Sequence, residues 1–142
     1  MDGVAPVLLL LPVAGIGVDA TVARPGGVSY LRIPAVDPGR SAAFYAAVFG
    51  WTIGGDPGRP SFADGTRHVI GHFMSDLAAA EDAGVRPYVY VESVDATIAR
   101  IEAQGGELVN APYPEGELWV ATFRDPAGNI VGIWQMGPRE AI

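Results

Sequence analysis

The chain states one pattern twice. Tyr30 to Gly50 reads as strand, Asp37-Pro38, helix, glycine, and Arg86 to Gly106 reads as strand, Ser93, helix, Gly105-Gly106. A displacement of 56 residues pairs Ile33 with Val89, Ala35 with Val91, Ser41 with Thr97, Ala43 with Ala99 and Gly50 with Gly106. Further on, Val69-Ile70-Gly71-His72-Phe73 matches Ile130-Val131-Gly132-Ile133-Trp134 at a displacement of 61, which puts about five extra loop residues into 111–117 of the second copy. Self-similarity of this kind means two like supersecondary units.

The local signals agree with the repeat. Alternation from Val28 to Val36 predicts a strand. Asp37 is a good N-cap and Pro38 suits the first helical position, so a helix is expected over 38–49 and stops at Gly50. Trp51–Ile53, Ser61–Ala63 and His68–Met74 read as strands, with Asp64-Gly65 as a hairpin signal. In the second half, Arg86–Glu92 is a strand and Ser93 caps a helix over 94–104. Glu107–Asn110, Leu118–Arg124 and Asn129–Gln135 are strands, and Asp125-Pro126-Ala127-Gly128 is a turn. Each half is therefore β-α-β-β-β. The fold class is α+β, with modules at 29–83 and 84–142 and an N-terminal extension at 1–28, expected to be an extra strand or an arm reaching a second subunit.

Composition excludes several chemistries. The chain has 142 residues and a net charge of −7, a balance that repels phosphate backbones, so no nucleic-acid partner is expected. It has no cysteine and no lysine, which removes thiolate nucleophiles, thiolate metal sites and Schiff-base catalysis through a side-chain amine. The apolar run Val7–Leu11 is broken by Pro12 and is too short to span a membrane. It also lacks the positive start of a secretion signal. A cytoplasmic protein without a membrane partner is the expectation.

Two strings carry a resemblance: Arg32-Ile-Pro-Ala-Val-Asp37 followed by Ser41-Ala-Ala-Phe-Tyr-Ala-Ala-Val-Phe-Gly-Trp51, and Val91-Glu-Ser-Val-Asp95 followed by Gly105-Gly106 and Phe123-Arg-Asp-Pro-Ala-Gly-Asn-Ile130. Over about residues 29–136 the chain resembles the vicinal oxygen chelate superfamily, which includes glyoxalase I, extradiol dioxygenases, fosfomycin-resistance enzymes and bleomycin-binding proteins. The resemblance implies a half-open barrel-like sheet with the helices outside, a ligand cup, and a homodimer. In metal-using members four His, Gln or Glu side chains in the cup hold a divalent ion. Those positions fall here on Tyr30, Gly71, Arg86 and Gly132, which are not a ligand set. A one-residue slip would bring His72 to one of them and leave the rest unsuited. No metal and no cofactor are expected.

Strand parity, anchored on those positions, selects the residues facing the cup. The candidates for ligand binding are Tyr30, Arg32, Val69, Phe73, Arg86, Tyr88, Tyr90, Ile130 and Trp134. Aromatic rings there could stack on a flat ligand and the arginines could grip an anionic or carbonyl oxygen. His68 and His72 fall on the opposite, helix-facing side in this register. Glu115 and Glu117 are a carboxylate pair near the long loop. The expected function is binding of an aromatic or apolar small molecule, as in sequestration of an antibiotic or metabolite. The alternatives are a metal-free isomerase, cyclase or lyase in which Tyr30, Arg32 or Tyr88 polarises a carbonyl, and a glyoxalase-type metalloenzyme with relocated ligands.

Overall fold

The computed structural model describes residues 20–80 and 84–139. The chain divides into two compact units, Met1–Ala78 and Ala79–Ile142. The first contains β1 (Tyr30–Pro34), α1 (Pro38–Phe49), β2 (Thr52–Asp56), β3 (Arg59–Ala63) and β4 (Ile70–Met74). The second contains β5 (Tyr88–Tyr90), α2 (Val94–Ala103), β6 (Glu107–Glu115), β7 (Leu118–Arg124) and β8 (Ile130–Met136). The sheet orders are β1-β4-β3-β2 and β5-β8-β7-β6, with the first pair parallel and the others antiparallel in each. Two βαβββ modules of an α+β fold are thus present. Most of the expected extension, residues 1–19, lies outside the described residues.

Both helices start where their caps dictate. The Asp37 carboxylate accepts from Arg40 N at 3.2 Å, Pro38 opens α1, and Gly50 closes it at φ 73°, a left-handed conformation that costs glycine little. In the second unit Ser93 Oγ accepts from Ala96 N at 3.1 Å. The buried Gln135 adds a tertiary cap, its side-chain oxygen accepting from Val94 N at 2.8 Å.

In the first unit α1 covers a stack of rings. Trp51 lies 4.6 Å from Tyr45 and 4.7 Å from Phe62, and Phe73 lies 5.7 Å from Tyr45 and 5.1 Å from Phe62. In the second unit the buried set is mostly aliphatic: Val94 and Ile101 from α2, with Ala121 and Ile133 from the sheet and Phe123 beside them. The opposite, helix-free face of the first sheet is partly covered by the segment before β1. Val22, 3 % exposed, clusters with Ala63, Ile70 and Tyr30, and His68 Nδ1 bonds the Thr21 carbonyl oxygen at 2.8 Å.

The hydrogen bonds correct the repeat alignment. Ala35 N donates to Met74 O and Val91 N donates to Trp134 O, each at 2.9 Å. Ala35 and Val91 are 56 residues apart, as the sequence pattern requires, but Met74 and Trp134 are 60 apart rather than 61. His72, not Gly71, is the structural counterpart of Gly132. The extra residues of the second copy number four, and they lengthen a strand: β6 has 9 residues against 5 in β2. The expected loop at 111–117 is therefore mostly strand, with a turn only at Gly116-Glu117.

The C-terminal end of the second unit is pinned to α2. Arg139 donates to Asp95 through Nε at 3.1 Å and Nη2 at 2.8 Å, and its guanidinium carbon lies 5.1 Å from the centroid of the Trp119 ring. The arginine hydrogen bond holds the Asp95 carboxyl below the ordinary carboxylate range. A carboxylate depressed on folding stabilises the fold above its unfolded pKa and loses that contribution as pH falls through the folded value. Arg139→Gln is therefore expected to lower Tm at neutral pH, with the difference from wild type shrinking as pH falls through the Asp95 titration to what the Trp119 contact contributes. Thermal melts at several pH values check this; a difference independent of pH would refute the pairing.

Candidate functional site

Register in the second unit places one set of side chains on the helix-free face. Tyr88, Tyr90, Ile130, Gly132 and Trp134 all lie there, because Tyr88 pairs with Gly132 and Tyr90 with Trp134 in parallel strands. Val120 and Leu118 join them from β7, opposite Trp134 and Met136. The helix takes the other face, with Ile133 fully buried. The helix side of this sheet is thus mostly aliphatic, and the open side carries the rings of Tyr88, Tyr90 and Trp134.

A cleft of about 400 Å³ opens on that face, lined by Tyr88, Glu115, Leu118, Val120 and Trp134. Gly132 shapes it. A Cβ there would collide with the Tyr88 ring, so the missing side chain lets the ring lie across the strand. Tyr88 and Tyr90 remain 45 % and 47 % exposed, large values for rings that could have been buried. Tyr90 meets Trp134 edge-on with centroids 4.9 Å apart, a favoured arrangement for ring quadrupoles.

Tyr113 borders this array from β6. Its hydroxyl titrates above the ordinary tyrosine range, first because it is partly withdrawn from water and then because the Tyr88 hydroxyl and the Glu115 carboxylate lie close; Arg86 opposes the shift weakly. A phenol so placed stays protonated at neutral pH, its hydroxyl hydrogen-bonded to that of Tyr88 beside the cleft. Arg86, half-buried just ahead of β5, does not line the cleft itself.

The first unit arranges its candidates differently. Tyr30 and Arg32 share the helix-free face with Ile70 and His72 through the β1–β4 register. Arg32 is exposed. Tyr30 is engaged locally, its hydroxyl 2.7 Å from His72 Nδ1 and its ring against the Val22 cluster. His72 is fully buried on the face opposite to the one its repeat alignment assigned. Phe73 shows the same one-residue displacement in reverse. It is 0 % exposed and belongs to the ring stack under α1, so it faces the module core. Val69 lies in the turn ahead of β4, its carbonyl accepting from Asp64 N at 2.9 Å.

These donors do not suit a divalent cation. The helix-free face of the first unit offers one imidazole, already bonded to a phenol, and a guanidinium; that of the second offers phenols, an indole, a glycine and a single carboxylate, Glu115. Among the described residues no group of three or more His, Cys, Asp or Glu could hold a metal ion. The described residues also contain no helix long and apolar enough to cross a membrane.

Sequence reasoning missed Tyr113, Leu118 and Val120 and gave Glu115 no defined face. Leu118 and Val120 were within reach of strand parity, since β7 pairs regularly with β8; for Tyr113 and Glu115 the cause is β6, where register shifts fall between Leu108 and Asn110 and between Asn110 and Tyr113. Each shift reverses the alternation of faces, so simple parity fails there. Pro112 and Pro114 were the available signal, since proline within a strand marks an edge, and β6 is the edge of its sheet.

Comparison with known proteins places this architecture. Over 135 residues the chain is 30 % identical to the anthracycline biosynthesis protein DnrV of Streptomyces peucetius, a match covering 82 % of this chain and 49 % of that protein. The chain thus spans about half the length of the curated relatives it matches. The solved fosfomycin resistance protein FosX of Listeria monocytogenes superposes with a TM-score of 0.66 at 19 % identity, covering 79 % of this chain and 94 % of that one. The antibiotic binding protein TnmS3 of Streptomyces sp. CB03234 superposes with a TM-score of 0.63 at 21 % identity, covering 79 % and 97 %. At those identities the two structures attest the fold. The model of the glyoxalase-like domain matches residues 31–133, and with the duplicated βαβββ architecture this makes the chain a member of the glyoxalase-like domain family, within the vicinal oxygen chelate superfamily.

Proposed function

We propose that the protein is a metal-independent binder of a planar aromatic small molecule, held in the cleft of the second unit for sequestration of an antibiotic or a pathway metabolite. The observation that carries this reading is Trp134 and the half-exposed Tyr88 lining a cleft of about 400 Å³, with the half-exposed Tyr90 edge-on to Trp134. That volume suits a small-molecule site, and exposed rings over an apolar lining are the usual means of holding a flat ligand. The names of two relatives, an anthracycline biosynthesis protein and an antibiotic binding protein, point the same way. The homodimer implied by the family resemblance is part of the reading and is checked by sedimentation equilibrium.

The test is a fluorescence titration with an anthracycline, followed by mass analysis of the recovered compound. Micromolar binding with the compound returned unchanged is expected. Trp134→Ala should weaken binding about fivefold to tenfold, the effect of one stacking ring at ~1 kcal/mol. Absence of saturable binding to any planar aromatic compound would overturn the reading, and a chemically altered product would replace sequestration with catalysis.

A further inference from the structure

We propose that the cleft of the second unit selects ligands that combine a planar ring with a positive charge, the ring seated against Tyr88 and Trp134 and the cation facing Glu115. This rests on the binding reading above and adds the charge class of the ligand. Of the five residues lining the cleft, one is charged, and it is a carboxylate. Glu115 ends β6 opposite Leu118, and among the described residues it makes no ion pair. Its charge is therefore available to a guest.

The surrounding groups reinforce the sign. Tyr88 and Trp134 line the cleft with aromatic rings, whose quadrupoles attract cations. Tyr113 sits beside the cleft and feels the same carboxylate. There, after burial and the Tyr88 hydroxyl, the Glu115 charge raises the phenol's titration, and the Arg86 charge opposes it to a smaller degree. The expectation that arginines would grip an anionic ligand does not extend to this cleft, since neither Arg32 nor Arg86 lines it. Glu115 is at an exposed rim, where water and salt screen a charge, so the preference should be moderate and salt-dependent.

The experiment compares three probes with one ring system: 9-aminoacridine, acridine and acridine-9-carboxylate, which are cationic, neutral and anionic at slightly alkaline pH. Affinities are measured by fluorescence at low and high salt for the wild-type chain, Glu115→Gln and Trp134→Ala. The wild type should bind the cation roughly threefold to tenfold more tightly than the neutral ring, with the anion weakest. Added salt should shrink that ratio, and Glu115→Gln should abolish most of it, lowering the cation's affinity more than the neutral probe's. Trp134→Ala should weaken all three probes. Equal binding of the three by wild type, still weakened by Trp134→Ala, would overturn the charge selection and leave the binding reading standing. A cation preference that survives Glu115→Gln would overturn the assignment to Glu115. Failure of all three probes to bind would overturn both.

Discussion

Gly71→Ala is expected to cost about 3–5 kcal/mol of folding stability, at the severe end for one added methyl group. Gly71 lies in β4 beside Leu31 of β1 and opposite Phe62 of β3. A Cβ built there collides with the Leu31 carbonyl oxygen and lies 2.6 and 2.7 Å from two atoms of the Phe62 ring. Neither neighbour can yield cheaply. The carbonyl is backbone in the parallel β1–β4 pair at the edge of the sheet, so moving it parts β1 from β4. Phe62 is 0 % exposed, stacked on Trp51 and packed against Phe73, so its ring moves only if the stack under α1 moves with it. Domains of this size hold roughly 5–15 kcal/mol in all, so the variant should unfold at a much lower urea concentration or fail to accumulate. Urea melts of the two proteins check this, and a loss under about 1 kcal/mol would mean that β1 and β4 are not packed as described.

The same glycine marks the limit of what the sequence could reveal. The helices were legible because their boundaries are written in local chemistry: Asp37-Pro38 and Gly50 for α1, Ser93 for α2. The duplicated β-α-β-β-β order was legible because residues before and after each helix repeat at a constant displacement. Register in β4 was not. Matching Gly71 to Gly132 looked natural, yet the two glycines answer to different neighbours, a strand carbonyl and Phe62 in one case and the Tyr88 ring in the other. Because strand faces alternate residue by residue, this single displacement exchanged His72 for Phe73 between core and open face. In the second unit β8 was anchored correctly, and Tyr88, Tyr90, Ile130 and Trp134 fell on the expected face. The remaining gap was the cleft wall from β6, whose two irregularities are set by pairing with β7 and leave only prolines as a local trace.

Gly132→Ala should do the opposite of Gly71→Ala: leave the fold and damage the site. The added Cβ meets the Tyr88 ring, but that ring is 45 % exposed and can swing out toward solvent about its own χ1, at about 1 kcal/mol if it leaves its preferred rotamer. The backbone of β8 need not move, and Gly132 N keeps its 2.9 Å bond to the Pro87 carbonyl oxygen. What is lost is the Tyr88 ring that lines the cleft together with Trp134. Affinity for a planar aromatic probe such as 9-aminoacridine should fall about tenfold or more, since one aromatic contact disappears and the cleft it shaped disappears with it. Tm should shift by only a few degrees. A double-mutant cycle makes the cause testable: if Gly132→Ala acts by displacing Tyr88, then Tyr88→Ala and the double variant should bind with similar affinities, and the two losses should not add. Full additivity would mean that Gly132 matters for some reason other than the ring above it. Unchanged affinity in a well-folded Gly132→Ala would show that ligands do not occupy this cleft at all.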